Sequence, residues 1–217
     1  MKSFLAFILD AFFPKKESIV QLESYKESDL RRLLKISPST PQAWMRALFA
    51  YKNPTVRDYV WQIKYADNKA LTQTAGELLA EEILSFIEDE AFSIGTGSIL
   101  VAIPASKHHE KEKGFNQTEE LCNVIASLVS PDMLRYIPNA LTKVRETPAQ
   151  ASILNKRERM ENLIHAFQVP PSVAPELRGK NIILIDDVLT TGSTLTEARR
   201  ALLVAGVRSV TGFTLAH

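Results

Sequence analysis

Residues 182–194 read IILIDDVLTTGST, and this stretch decides the fold class. The apolar run from Ile182 to Ile185 is too short for a helix, so it predicts a strand that is buried on both faces. Such strands are typical of the centre of a parallel sheet in an α/β protein. Two acids, Asp186 and Asp187, follow the run directly. Because ligands of open parallel sheets bind outside the carboxyl ends of the strands, we expect the chemistry of this chain at the acid pair.

The loop after the acids is typical of an anion site. It contains three threonines, a serine and Gly192, and it opens into a helical pattern. The free N–H groups and the dipole of a helix start favour a bound phosphate, by about 0.3–1 kcal/mol for the dipole alone. The carboxylates can accept hydrogen bonds from sugar hydroxyls and help to hold a divalent cation. The acid pair and the loop together suit the two ends of a phosphorylated sugar. The alternative is an acidic strand end followed by a helix with a Ser/Thr cap, without a ligand.

A hydrophobic strand, two acids, TTGxT and a helix, in this order, resemble the 5-phosphoribosyl-1-pyrophosphate (PRPP) motif of type I phosphoribosyltransferases. The resemblance implies an α/β fold with a central parallel sheet. It also implies Mg²⁺-dependent transfer of the 5-phosphoribosyl group from PRPP, with release of pyrophosphate. The acids would hold the ribose hydroxyls near a cation that arrives with PRPP, and the loop would hold the 5-phosphate. The implied PRPP contacts are Asp186, Asp187, Val188, Leu189, Thr190, Thr191, Gly192, Ser193 and Thr194.

The composition fits one enzyme-sized domain with an appendage. The 217 residues are 45% hydrophobic, and 26 basic side chains balance 25 acidic ones. This is enough for a sizeable core, and no global field favours nucleic acid or a membrane. The single cysteine, Cys122, excludes an intramolecular disulfide and a cysteine-clustered zinc site. It fits a reducing compartment, so we expect a cytoplasmic protein.

Residues 1–43 are expected to form an appendage to a domain at 44–217. The first thirteen residues, MKSFLAFILDAFF, are too short to span a bilayer, and Asp10 interrupts their apolar run, so neither a membrane span nor a signal peptide is predicted. Their helical spacing predicts an amphipathic helix that docks on the main body or on a partner; contact with a membrane surface is the alternative. Residues 14–43 are interpreted as a polar linker.

Hydrophobic periodicity predicts the elements around the acid-bearing strand. Helices are expected over 56–65, 71–88, 117–129 and 195–204, and strands over 47–51, 98–103 and 207–215. The strand at 98–103 should end beside the acids. The strand at 207–215 should be the neighbour of the acid-bearing strand in a right-handed βαβ unit.

A basic loop follows the strand at 98–103, which ends at Pro104. In the phosphoribosyltransferase fold this turn offers backbone N–H groups to pyrophosphate, and the loop runs on to a hinge at Gly114. Closure of the loop would exclude water and screen the charge of the leaving group, so Lys113 joins the two acids as a catalytic candidate. A solvated surface loop is the alternative. The expected pyrophosphate contacts are Ala105, Ser106, Lys107, Lys111 and Lys113.

Two further segments resemble the ComF family. The string IPASKHHEKEKGFNQTEEL at 103–121 is similar to the family's proline-ended strand, basic loop, RGFNQ and helix. The string KVRETPAQASILNKRERMENLIHAF at 143–167 is similar to its R-x-R-x-T-x-x-Q and ER-x-x-N-x-x-x-AF segment. We expect part of the second string to form a small hood over the acceptor side of the ribose. The expected hood residues are Arg145, Thr147, Gln150, Arg159 and Asn162.

The chain departs from the ComF pattern at two places. Family members commonly carry a zinc module with CxxC pairs after a Phe-Pro dipeptide, whereas residues 13–16 read Phe-Pro-Lys-Lys here, so no zinc is expected. Lys113 and Lys143 stand where arginines are usual. Lysine keeps the charge but lacks the bidentate fork that arginine offers to phosphate oxygens.

Three functions stay open at this point. The first is a phosphoribosyltransferase with an unidentified acceptor; the absence of an obvious general base suits a dissociative reaction that depends on positioning and charge. The second is a non-catalytic PRPP- or nucleotide-sensing or scaffold protein with competence or DNA-processing partners, because the ComF resemblance implies a link to competence and DNA uptake. The third is a partner-binding module that uses the apolar N-terminus. A homodimer is an open option for each.

Overall fold

Strand β6, Asn181–Val188, contains the acid pair and lies in the middle of the sheet. The structure is a computed structural model that describes Leu30 and residues 39–89, 97–105, 115–144 and 165–217. The expected helix at 1–13 lies outside these ranges, as does most of the linker. The loop and hood residues outside them are Ser106, Lys107, Lys111, Lys113, Arg145, Thr147, Gln150, Arg159 and Asn162.

Five parallel strands in the order β1-β7-β6-β2-β3 form the sheet within the described ranges. Its other strands are β1 Met45–Phe49, β2 Ser98–Ala102, β3 Leu134–Tyr136 and β7 Ser209–Ala216. Ile182 of β6 lies opposite Ile99 of β2 on one side and Val210 of β7 on the other. The predicted central parallel sheet is confirmed, and so are both predicted neighbours of the acid-bearing strand.

Helices pack on both faces of the sheet. They are α1 Pro54–Tyr65, α2 Lys69–Asp89, α3 Gln117–Leu128, α4 Ala174–Leu177 and α5 Ser193–Val204. Ile183 and Ile185 of β6 belong to a buried cluster with α1, α2 and α3, whereas Ile182 and Leu184 belong to a cluster with α4 and α5. Burial on both faces explains the unbroken apolar run of β6. None of these helices has the length and apolar character needed to cross a membrane.

Two asparagines fix the starts of the helices near the acids. Asn53 caps α1 by accepting from the Thr55 N–H at 3.0 Å, and Asn116 caps α3 by accepting from the Thr118 N–H at 3.1 Å. The Thr118 hydroxyl also donates to the Ile103 carbonyl at 2.6 Å. This bond ties the start of α3 to the end of β2.

A two-stranded antiparallel ribbon flanks the cluster under α5. It consists of β4 Thr142–Lys143 and β5 Phe167–Gln168, and Phe167 is buried in that cluster. The periodicity did not predict the ribbon, because two residues are too few to show a period.

Candidate functional site

The carboxyl ends of β2 and β6 lie side by side, as the sequence predicts. The Ile103 N–H donates to the Ile185 carbonyl at 2.9 Å, one residue before the acids. Ala105 follows two residues later and is partly buried. The turn after β2, with the first of the expected pyrophosphate contacts, is therefore brought to the edge of the sheet that presents the acids.

Asp187 is the more buried of the two acids, with a side chain that is 6% exposed. Its Oδ2 accepts from Lys64 Nζ at 2.6 Å and from Gln117 Nε2 at 2.9 Å, and its Oδ1 accepts from the Val188 N–H at 2.6 Å. Burial by itself would raise the pKa of Asp187, but the Lys64 charge and these hydrogen bonds hold the pKa below its usual range. Asp187 is therefore a carboxylate at neutral pH.

Lys64 reaches Asp187 from the last turn of α1. This helix begins after β1 and packs against β7 and β6, which brings its end to the acid pair. Burial lowers the pKa of Lys64, but the attraction of Asp187 outweighs burial, so the net change in this pKa is upward. Both members of the pair are charged.

Asp186 lies on the opposite face of β6, because neighbouring side chains of a strand alternate between the faces. It shares that face with Ile182 and Leu184, on which α5 packs. The residue is partly buried, and its Oδ1 accepts the Asp187 N–H at 2.9 Å. Burial and then the negative charge of Asp187 raise the pKa of Asp186 from 3.8 to about 7. Of two adjacent acids, one is ionised and the other titrates near neutrality.

The loop after β6 holds the start of α5 beside the acids. Leu189 is buried, and its N–H donates to the Ala216 carbonyl at 2.8 Å. Gly192 is the N-cap residue of α5 with a φ of +77°, so it offers no side chain to the N–H groups of the first turn. The Thr191 and Ser193 hydroxyls are 2.7 Å apart. Thr190 is exposed, Val188, Thr191 and Thr194 are partly buried, and Ser193 is buried.

Gly192 also lies close to the side chain of Met45 in β1. A Cβ at this position would lie 2.9 Å from Met45 Cε, and the positive φ strains any residue that has a Cβ. The glycine of the TTGST string is thus required by the backbone conformation, and it lets the loop lie directly on the edge of the sheet.

Lys64 and Gln117 are contacts of the acid pair that the sequence reasoning did not assign. Gln117 stands in the GFNQ string, so the ComF resemblance gave a signal for it. Its Oε1 is buried and has no hydrogen-bond partner within the described part of the chain. Lys64 gives no signal, because its role depends on the path of α1 across the edge of the sheet.

The described residues do not form a metal site by themselves. Within them, no group of three His, Cys, Asp or Glu side chains could hold a metal ion. Magnesium in proteins is often held by one or two carboxylates together with substrate phosphates and water. The two carboxyl groups on β6 fit a cation that is bound in this way and arrives with a phosphorylated ligand.

The family model of the phosphoribosyl transferase domain matches residues 126–216. The DNA utilization protein YhgH of Escherichia coli K12 is 27% identical over 171 residues, which cover 78% of this chain and 71% of YhgH. The competence protein ComFC of Streptococcus pneumoniae is 29% identical over 170 residues, which cover 78% of this chain and 66% of ComFC.

Among solved structures, the hypoxanthine phosphoribosyl transferase of Trypanosoma cruzi is 13% identical, with a TM-score of 0.41. The alignment covers 66% of this chain and 63% of that one. The domain match and the two relatives support a type I phosphoribosyltransferase-like protein of the ComF family, and the parallel sheet with its acid-bearing central strand agrees with this.

Proposed function

We propose that the chain binds PRPP at the carboxyl edge of the sheet and transfers its 5-phosphoribosyl group to an acceptor. The bond between C1 of the ribose and the pyrophosphate oxygen breaks, a bond from C1 to the acceptor forms, and pyrophosphate leaves. The observation that supports this most is the continuous segment from β6 to α5. It sets Asp186 and the glycine-capped start of α5 on the same face of the sheet.

The two ends of the segment would bind the two ends of ribose 5-phosphate. The hydroxyls and N–H groups of 190–194 receive the 5-phosphate, since a helix start favours an anion and the N-cap residue Gly192 provides no side-chain cap. Asp186 accepts a hydrogen bond from a ribose hydroxyl. Lys64 and Gln117 hold the side chain of Asp187. Asp187 in turn keeps the end of β6 in place beside Asp186.

The pyrophosphate would lie at the end of β2. Backbone groups at Ala105, Ser106 and Lys107 receive its oxygens, and Lys111 and Lys113 of the basic loop screen the charge that develops as it leaves. The acceptor side of the ribose would be covered by the hood residues Arg145, Thr147, Gln150, Arg159 and Asn162. Water exclusion and charge stabilisation then supply most of the catalysis.

Magnesium fits this arrangement through Asp186. Asp187 has three donors on its two oxygens, which leaves Asp186 as the acid of the pair that can contribute an oxygen ligand. A bound Mg²⁺ would supply charge neutralisation of the pyrophosphate oxygens. The protein's part is to position the ribose against the loop and to keep the site free of bulk water.

We further propose a cytoplasmic protein in which residues 44–217 form the phosphoribosyltransferase-like domain and residues 1–43 an appendage. The thiol of Cys122 is free and buried in α3, which suits a reducing compartment. A second candidate function is a PRPP-dependent sensor or scaffold without catalysis. The names of the relatives, a DNA utilization protein and a competence protein, favour competence or DNA-processing partners for it.

Calorimetric titration of the full chain with PRPP, with and without Mg²⁺, tests the binding site. Wild type should bind Mg·PRPP, and Gly192→Ala should weaken binding about tenfold or more, equal to about 1.4 kcal/mol, because the left-handed backbone and Met45 oppose a Cβ. Gly179→Ala is the matched control. It has the same kind of positive φ, +72°, with no atom within 4 Å of the added Cβ, so its affinity should equal wild type. Absence of binding by wild type would contradict the proposed site.

Release of pyrophosphate separates the two candidate functions. The chain that binds PRPP is incubated with a panel of bases and amines, and pyrophosphate is measured over time. Release that depends on one acceptor and is lost in Gly192→Ala supports the transferase. Binding without release for any acceptor favours the sensor or scaffold.

A further inference from the structure

The ammonium group of Lys64 is the counter-ion of the acid pair within the described residues. Lys64 Nζ lies 2.6 Å from Asp187 Oδ2, with side-chain exposures of 27% and 6%. A pair this well buried is screened little by salt and water. Lys64 therefore occupies the place beside Asp187 that a metal ion would need.

The hydrogen bonds of Asp187 leave little capacity for a second cation. Oδ2 already accepts from both Lys64 and Gln117, and Oδ1 accepts from the Val188 N–H. Magnesium needs oxygen ligands at short distances in nearly octahedral geometry and gives up its water reluctantly. It would have to displace a buried ammonium group that it also repels, and removal of one partner from a buried ion pair is strongly unfavourable.

Asp186 is not closed in this way. It lies on the other face of β6, is partly buried, and its Oδ1 accepts the Asp187 N–H. It shares its face of β6 with Leu184, which belongs to the same buried cluster as Leu195 near the start of α5, where a phosphate would lie under the proposed function.

We propose that Lys64 is a built-in counter-ion that closes Asp187 to divalent cations, so that a cation can join this site only through Asp186 and the phosphates of a bound ligand. The inference rests on the proposed function for the identity of that ligand. It makes Lys64 a positioning residue that acts through Asp187. The two adjacent acids then have different roles: Asp187 pairs with Lys64, and Asp186 can bind the cation. The wild-type chain should then have little affinity for a divalent cation in the absence of a phosphate ligand.

The test uses Mn²⁺ as the probe, without PRPP, and measures free Mn²⁺ by electron paramagnetic resonance. Lys64→Met removes the counter-ion of the Asp187 carboxylate, so the variant should bind Mn²⁺ at least about tenfold more tightly than wild type. Lys64→Arg keeps the counter-ion and should bind as wild type does. Lys69→Met is the matched control: Lys69 pairs with Asp67 and Glu120 and is 63% exposed, so its loss should leave Mn²⁺ affinity unchanged.

A double variant shows whether Asp187 is the carboxylate that binds Mn²⁺ in Lys64→Met. It also controls for misfolding caused by an unpaired buried charge. Lys64→Met/Asp187→Asn removes both charges of the buried pair, which proteins tolerate better than the loss of one partner. It should lose the Mn²⁺ affinity that Lys64→Met gained, and its PRPP affinity should still depend on Mg²⁺ as in wild type. The inference is overturned if Lys64→Met binds Mn²⁺ no better than wild type, if Lys69→Met gains as much, or if the double variant loses the Mg²⁺ dependence. Failure of wild type to bind PRPP would instead overturn the proposed function, and the Mn²⁺ comparison would still decide the role of Lys64.

Discussion

Asp186 and Asp187 are neighbours in the chain, yet their carboxyl groups lie in different surroundings. The alternation of side chains along β6 turns only Asp187 towards α1 and α3, where Lys64 and Gln117 meet its Oδ2. Asp186 faces the side of α5, and its Oδ1 accepts the N–H of Asp187. The pKa of Asp187 is lowered and that of Asp186 is raised to about 7.

Asp186→Asn is predicted to change how thermal stability depends on pH. The pKa of Asp186 is about 7 in the folded chain, against an ordinary value of 3.8. The protonated group therefore contributes its full share of the free energy of unfolding below pH 3.8, and this contribution is lost as the pH rises through about 7. Asparagine does not titrate, and its Oδ1 can still accept the Asp187 N–H. The melting temperature of the variant relative to wild type should therefore rise from pH 5 to pH 8, by about 2–4 °C for each kcal/mol.

The control for this experiment is Asp58→Asn on the exposed side of α1. Its melting temperature should follow that of wild type across the same pH range. A constant difference between Asp186→Asn and wild type from pH 5 to pH 8 would contradict the raised pKa of Asp186.

At the residue scale, the sequence predicted the local part of the site and missed the long-range part. The string IILIDDVLTTGST is enough to predict the acids and Gly192, because strand, loop and helix follow one another in the chain. Gln117 lies 70 positions from Asp187, and Lys64 lies still further away. No periodicity connects side chains at such separations, so only the fold could show that they share one carboxylate oxygen.

The packing of α2 against α3 depends on a glycine. A Cβ on Gly76 would lie 2.4 Å from Val124 Cγ1 and 2.6 Å from Val124 Cβ. Two helices can approach this closely only where one of them lacks a side chain. The contact supports the face of the sheet on which Lys64, Gln117 and Asp187 meet, since α3 begins with Gln117.

Gly76→Ala is predicted to destabilise the fold despite the higher helix propensity of alanine. Alanine gains about 1 kcal/mol over glycine in a helix interior, whereas overpacking of a close contact costs about 1–3 kcal/mol. Both near atoms of Val124 lie close to the backbone, so we expect the upper part of this range. Urea unfolding gives the free energy of unfolding of each variant.

A reciprocal variant shows whether the loss arises at this contact. Gly76→Ala/Val124→Gly moves the missing side chain to the other helix, so it should be more stable than the sum of the two single changes predicts. A Gly76→Ala variant as stable as wild type, or strictly additive effects in the double variant, would contradict close packing at this point.

Helices with several turns and strands with several buried residues could be predicted from the sequence. Strands of two or three residues could not. Helices α1, α2, α3 and α5 and strands β1, β2, β6 and β7 were all expected close to their observed positions. The largest shift is at the end of β6, which ends at Val188, three residues after Ile185, so both acids lie within the strand. Strand β1 is displaced by two residues and ends at Phe49, while Tyr51 lies in the following turn. Strand β3 has three residues and the ribbon strands two each, which is too short for a periodic pattern.

The strand order brings distant parts of the chain to one edge of the sheet. The order β1-β7-β6-β2-β3 places the first described strand beside the last one, so Met45 of β1 lies next to the loop that contains Gly192. The sequence predicted the neighbours of β6, because a βαβ unit fixes one and the proline-ended strand suggested the other. The positions of β1 and β3 follow from tertiary packing and could not be predicted.

The charge of the whole chain does not select its ligand. Basic and acidic side chains nearly balance, with a formal net charge of +1, so no long-range field steers an anion to the site. Recognition of a highly charged ligand must come from local groups: the start of α5, the turn after β2 and the basic loop. We therefore attribute the proposed binding of PRPP to these local groups and not to general electrostatic attraction.

Amide chemical shifts of the ¹⁵N-labelled full chain, followed during titration with Mg·PRPP, test this claim most directly. We predict the largest shifts at Thr190 to Thr194 and at the two acids of β6, with little change at Gly179 and its neighbours at the opposite end of the sheet. Shifts confined to other parts of the chain, or a spectrum that does not respond to PRPP, would contradict it.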